Sequence, residues 1–205
     1  MKKAAWIIST LMHPLLMPTL LFFILLYFAS YVGSKLNDEG IAYLLLVIFI
    51  TTCVLPIFCI AVLKFTNNIA DFALEDKRER VIPFIFISMF YAVTTYMFAT
   101  KIKLGELYIV IIASITLLLV VVTIITFFWK ISTHSTAISG VVGFILAVGY
   151  KFSDEQLLLP LVIVVFLAGL VMSSRLYLNS HKPIEILGGS ILGFIFSFIA
   201  VYIFA

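Results

Sequence analysis

The chain has 205 residues, 64% of them hydrophobic and 11% charged, with a mean hydropathy of +1.26. No soluble domain needs that much apolar surface for its core, so the composition defines an integral membrane protein. A formal net charge of +3 without any long Lys/Arg run excludes a nucleic-acid-binding arm, and no nucleic-acid partner is expected.

A helix crosses the hydrocarbon with about 20 apolar residues. Blocks of that length fall at 15–33, 41–63, 82–100, 106–129, 136–152, 157–173 and 184–204. The expected fold is all-α, a polytopic transmembrane bundle of six to seven spanning helices in the cell (inner) membrane. It forms a single integral membrane domain over residues 1–205. No residue pattern assigns an oligomeric state, and membrane lipids are the expected surroundings.

Ahead of the first block, Lys2 to Met17 is apolar but carries His13, Pro14 and, just beyond, Pro18. This stretch either prolongs the first helix or lies bent at the interface, and it lacks the small-residue site of a cleaved leader. His13 beside Pro14 reads as a packing residue near a kink or as part of a lipid entry path. Cys53 and Cys59 lie six apart on different faces of one apolar helix, which suits packing and neither a disulfide nor a metal pair.

With seven spans, the loops at 64–81, 130–135 and 174–183 share one face with the N-terminus. That face carries Lys2, Lys3, Lys64, Lys77, Arg78, Arg80, Lys130, Arg175 and Lys182, against Lys35, Lys101, Lys103 and Lys151 opposite. The positive-inside rule would make it cytoplasmic. Five of the nine are candidates for anion binding, however, and setting them aside removes the asymmetry.

In the first of these loops Asn67, Asp71 and Glu75 recur every four residues, placing oxygen ligands on one helical face. This resembles the first acidic motif of UbiA-type intramembrane prenyltransferases, which implies magnesium and a prenyl diphosphate. Neither Asp154 and Glu155 nor Glu185 supplies the second acidic motif of that family. The alternative is a solvated loop in which Asp76 and Glu79 balance Lys77 and Arg80.

The second loop, KISTHSTAISG over 130–140, puts Ser132, His134 and Ser135 at a helix start. Free backbone N–H groups and the positive end of the helix dipole favour an anion there. Either a phosphate docks and His134 protonates a leaving oxygen, or Ser132 or Ser135 caps the helix and His134 sits at headgroup level.

The third, SRLYLNSHKPIE, holds Ser174, Arg175, His181 and Glu185 between two apolar spans. Charged groups at such a place are costly in lipid and point to function. Pro183 suits the first turn of the last helix, which leaves His181 just outside it and lets Glu185 reach back to fix one ring nitrogen. A carboxylate-held imidazole serves as nucleophile or base, and the planar fork of Arg175 fits phosphate oxygens. Taken singly, the same residues read as a snorkelling arginine, an interfacial histidine and a dipole-complementing glutamate. Gly140, Gly143, Gly188, Gly189 and Gly193 follow the two histidine windows and are expected to pack those helices closely, bringing His134 and His181 together.

These windows, in this order, resemble the type 2 phosphatidic acid phosphatase superfamily, over roughly residues 75–200 with the helices of 1–64 accessory. The family's third motif, Ser-Arg, five residues, His, three residues, Asp, is matched by Ser174, Arg175, His181 and Glu185, with Glu for Asp. Its second motif, Pro-Ser-Gly-His, survives as Ile131-Ser132-Thr133-His134, with Thr133 in place of glycine. The first, Lys, six residues, Arg-Pro, is replaced by DKRERVIP with Lys77, Arg78, Arg80 and Pro83. The resemblance implies a lipid phosphatase that uses no metal or other cofactor. In it His181 is the nucleophile, Glu185 its orienting partner and His134 the proton donor, while Arg175, Ser132, Lys77, Arg78 and Arg80 bind phosphate. The substrate is then a phosphomonoester or diphosphate of a phospholipid or polyprenyl lipid, and the alternative is a catalytically degenerate relative acting in lipid binding, transport or as a scaffold.

Overall fold

The structure, a computed structural model, describes residues 2–30, 36–69, 77–102 and 105–205, with Lys77 and Arg78 described by their backbone alone. Among the described residues, seven helical stretches are long and apolar enough to cross a membrane. They are Lys2–Phe28, Asp38–Phe65, Glu79–Ile102, Glu106–Phe128, Thr133–Phe152, Glu155–Tyr177 and Pro183–Phe204. Each overlaps one of the expected blocks, and the fold is the all-helical bundle read from composition.

The first span starts well before its apolar block, because the N-terminal stretch prolongs it through a bend. Helix α1 (Lys2–Leu11) is followed by a tight turn over Pro14–Leu16 and then by α2 (Met17–Phe28). Pro14 has no N–H to continue the helix, and the His13 ring caps the turn instead, its Nδ1 accepting the Leu15 N–H at 3.3 Å.

The second span has a similar interruption with a different remedy. Helix α3 (Asp38–Phe49) begins where Asn37 Oδ1 accepts the Gly40 N–H at 2.9 Å, and it runs into α4 (Leu55–Phe65) through a widened π-turn over Ile50–Val54. Pro56 offers no N–H to the Thr52 carbonyl, and its ring needs room there. That carbonyl accepts instead from the buried Tyr91 hydroxyl at 3.2 Å, which ties this span to α5 (Lys77–Met97). Four further helices complete the bundle: α6 (Glu106–Phe128), α7 (Thr133–Phe152), α8 (Leu158–Tyr177) and α9 (Pro183–Phe204).

Lipid tails are as apolar as leucine, so helices inside the hydrocarbon gain from close packing rather than from escaping water. Helices α7 and α9 approach backbone to backbone through the expected glycines. A methyl at Gly143 would stand 2.5 Å from the Phe194 carbonyl oxygen, one at Gly189 would stand 2.7 Å from that of Ser132, and one at Gly193 would overlap the Thr136 carbonyl. The α7 span is the most buried of the seven. Phe22, Phe98, Phe144, Ile111 and Ile145 fill the interior beside it, while Phe128 and Phe166 face outward toward lipid.

Candidate functional site

The glycine contact sets the N-terminal ends of α7 and α9 side by side. There the Ser132 N–H donates to the Glu185 carbonyl at 3.2 Å, and the Trp129 ring lies against Gly188. The loops preceding the two helices are the two histidine windows.

Helix α8 stops where Asn179 turns left-handed at φ 54°, with the Ser180 N–H donating back to the Arg175 carbonyl at 3.2 Å. Three residues after Ser180, Pro183 opens α9, so His181 sits in a turn too short to wander. Glu185 Oε2 accepts from the Lys182 N–H at 3.2 Å and from His181 Nδ1 at 2.8 Å, the reach-back expected from the spacing. A carboxylate only accepts, so the ring proton lies on Nδ1 and the lone pair on Nε2. The His181 side chain is 1% exposed. Its pKa falls from the ordinary 6.5 to about 4, chiefly through burial. The hydrogen bond to Glu185 pulls the other way, and the charges of Arg80 and Arg175 add to the fall. The fall favours the neutral imidazole, which keeps a lone pair on Nε2.

In the second window Ser132 is wholly buried, and its Oγ accepts the Ser135 N–H at 3.4 Å as the cap of α7. Its carbonyl also receives the hydroxyls of Ser135 and Thr136 at 3.0 and 2.9 Å. The cap uses the Ser132 hydroxyl only as an acceptor and leaves its O–H to donate, and the neighbouring Thr133 stands on the cavity wall. His134 Nε2 lies 3.1 Å from the Ser9 carbonyl oxygen and 3.4 Å from Ser9 Oγ. Since a carbonyl only accepts, the neutral ring carries its proton on Nε2 and its lone pair on Nδ1.

Two arginines converge from α5 and α8. Arg175 Nη1 donates to Ser9 Oγ at 2.9 Å, and Arg80 Nη1 donates to the Ile131 carbonyl at 3.3 Å. Arg80, 5% exposed, thus pins the loop that carries His134 while facing His181 electrostatically. The side chains of Lys77 and Arg78 lie outside the described residues, as do Asp71, Glu75 and Asp76 of the acidic loop.

These groups wall one end of a cavity of about 170 Å³. Its polar end is made by His13, Arg80, Thr133, His134, Arg175 and His181, and its shaft by Leu21, Phe84, Ile87, Leu118, Val122 and Phe144. The charge of Arg175 acts on all three imidazoles. A headgroup-sized anion and an apolar chain would each meet a matching surface.

The N-terminal stretch contributes more than an accessory role would require. His13 packs edge-on against His134 with ring centroids 5.5 Å apart, and Ser9 holds both His134 and Arg175. The His-Pro dipeptide marked the kink that carries His13. Nothing in the sequence around Ser9 sets it apart from an ordinary helical serine.

Fold and site together define a multi-pass membrane protein with a cavity walled by histidine and arginine at one end and by aliphatic and aromatic side chains at the other. Residues 126–205 match the family model of the PAP2 superfamily, a stretch that holds the second and third motifs of the resemblance read from the sequence. Comparison with curated proteins and with solved structures gives no match.

Proposed function

We propose that the protein is a membrane lipid-phosphate phosphatase acting on a phosphomonoester or diphosphate of a phospholipid or polyprenyl lipid through a phosphohistidine on His181. The observation that carries this reading is a buried imidazole, held by Glu185 at 2.8 Å, on the polar wall that Arg80 and Arg175 share at the end of an apolar cavity.

In this reading the Nε2 lone pair of His181 attacks phosphorus, and the N–P bond forms as the ester P–O bond breaks with its electron pair leaving on the lipid oxygen. Glu185 stabilises the positive charge that grows on the ring. Arg80 and Arg175 neutralise the non-bridging oxygens, helped by the free N–H groups at the start of α7. His134 takes a proton from the incoming phosphate monoanion on Nδ1 and keeps its Nε2–H on the Ser9 carbonyl. It then delivers the Nδ1 proton to the departing oxygen. Water hydrolyses the phosphohistidine in the second half, with His134 receiving the proton that water gives up. Ser132 caps α7 through its oxygen and donates its O–H to a phosphate oxygen, and Lys77 and Arg78 remain proposed phosphate contacts from the start of α5.

The test is phosphate release by the purified protein from phosphatidate and from a polyprenyl diphosphate, with and without chelator. Release should survive the chelator and fall on the order of 10⁴-fold or more in His181→Ala. Turnover that needs a divalent cation, or that persists in the variant, rejects the mechanism. The presence of Thr133 on the cavity wall favours the second reading, a binding protein without turnover, and saturable lipid-phosphate binding with no release would select it.

A further inference from the structure

The PAP2 match begins at residue 126, yet one imidazole of the cavity comes from the opposite end of the chain. His13 occupies the bend between α1 and α2, where its backbone is extended at φ −65°, ψ 139° and its Nδ1 accepts the Leu15 N–H. That bond uses the Nδ1 lone pair, so the neutral ring carries its one proton on Nε2. His134 has the complementary arrangement: its Nε2–H is committed to Ser9 and its lone pair is on Nδ1. The two rings meet edge-on, so the polar end holds one imidazole with a hydrogen to offer and another with a lone pair.

The position of His13 along the cavity adds direction. Leu15, Met17, Pro18 and Leu21, which follow it, belong to the apolar shaft, whereas Arg175 and His134 beside it belong to the polar end. Arg175 acts on His13 as it does on His134 and His181, whereas Arg80 acts on His181. His13 therefore stands at the border where a headgroup gives way to a chain. In a phosphate ester that border is the bridging oxygen.

We propose that His13 is a further substrate-contacting residue of this site, donating a hydrogen bond from Nε2–H to the bridging oxygen of the lipid phosphate as negative charge builds on it. The inference rests on the phosphatase reading above. His13 transfers no proton: the N–P bond to His181 forms, the bridging P–O bond breaks, the electron pair stays on the lipid oxygen, and the neutralising proton comes from His134 Nδ1. The contribution of His13 is greatest for an alkyl alcohol, a poor leaving group, and small for an aryl oxide that carries its charge unaided.

Decyl phosphate and para-nitrophenyl phosphate separate these cases. In His13→Asn the shorter amide still supplies an oxygen to cap the Leu15 N–H but presents no donor where Nε2 stood, so a purely structural histidine would be replaced without loss. The expected result is that the ratio of decyl to nitrophenyl turnover falls about 100-fold, the usual cost of losing one donor to a developing oxyanion. His13→Gln, whose amide nitrogen reaches the Nε2 position, should recover part of that ratio. Equal loss on both esters, or an unchanged ratio in His13→Asn, overturns the role of His13 and leaves the phosphatase reading intact. A wild-type protein that turns over neither ester and traps no phosphoenzyme overturns both.

Discussion

The two regions that meet at the cavity are held by different means. Between α7 and α9 the contact is main chain on main chain, with Gly143, Gly189 and Gly193 leaving no room for even a methyl group. Around α1, α2 and α5 it is made by side chains and single long-range hydrogen bonds, Ser9 to Arg175, Arg80 to Ile131 and Tyr91 to Thr52, beside an internal cavity. The first region packs closely and fixes His181. The second leaves room beside it and shapes what His181 faces.

The sharpest way to break this contrast is a methyl group in the tight region. Gly193→Ala should cost about 1–3 kcal/mol, read as a lowered unfolding midpoint in detergent, because the Thr136 carbonyl cannot move without its helix. A silent variant would mean that the two helices are less closely seated than described.

Next in size comes Arg80→Gln, in the second region. It should lower kcat/KM about 10-fold, near 1.4 kcal/mol, by removing one charge from the phosphate cup. It also has a signed pH consequence. His181 must be neutral to attack, and Arg80 disfavours its protonated form, so removing that charge raises the His181 pKa. The acid limb of kcat/KM, expected near pH 4 in the wild type, should move upward in the variant. A limb that stays in place would separate Arg80 from His181.

The smallest expected effect tests a single link of the second region. Tyr91→Phe should cost about 1 kcal/mol by leaving the Thr52 carbonyl without its donor, with phosphate turnover altered less than by Arg80→Gln.

The spans were legible because lipid demands about 20 apolar residues regardless of packing detail. The His181 and Glu185 pair was legible for a related reason: its geometry is local, set by Pro183 and a four-residue spacing within one turn. The glycine contact was also visible, since five glycines following two polar windows have few other uses in a membrane helix. Choosing among Lys77, Arg78 and Arg80 was beyond local reasoning, because three cations in one run differ only in which face the bundle buries. Ser132 illustrates the opposite difficulty, as one hydroxyl suits a cap and a phosphate equally. Ser9 and His13 reach the site across more than a hundred residues, and a bend at a His-Pro pair shows that the chain turns but not toward what.

One carboxylate oxygen, Glu185 Oε2, receives both the Lys182 amide and the His181 ring. Starting the last helix and presenting the His181 ring are thereby a single event. A transient fraying of that first turn, far smaller than any loss of the bundle, releases the imidazole to rotate and exchange tautomers. Amide exchange at Lys182 and loss of turnover should then rise together under mild denaturant, well before the spans themselves let go.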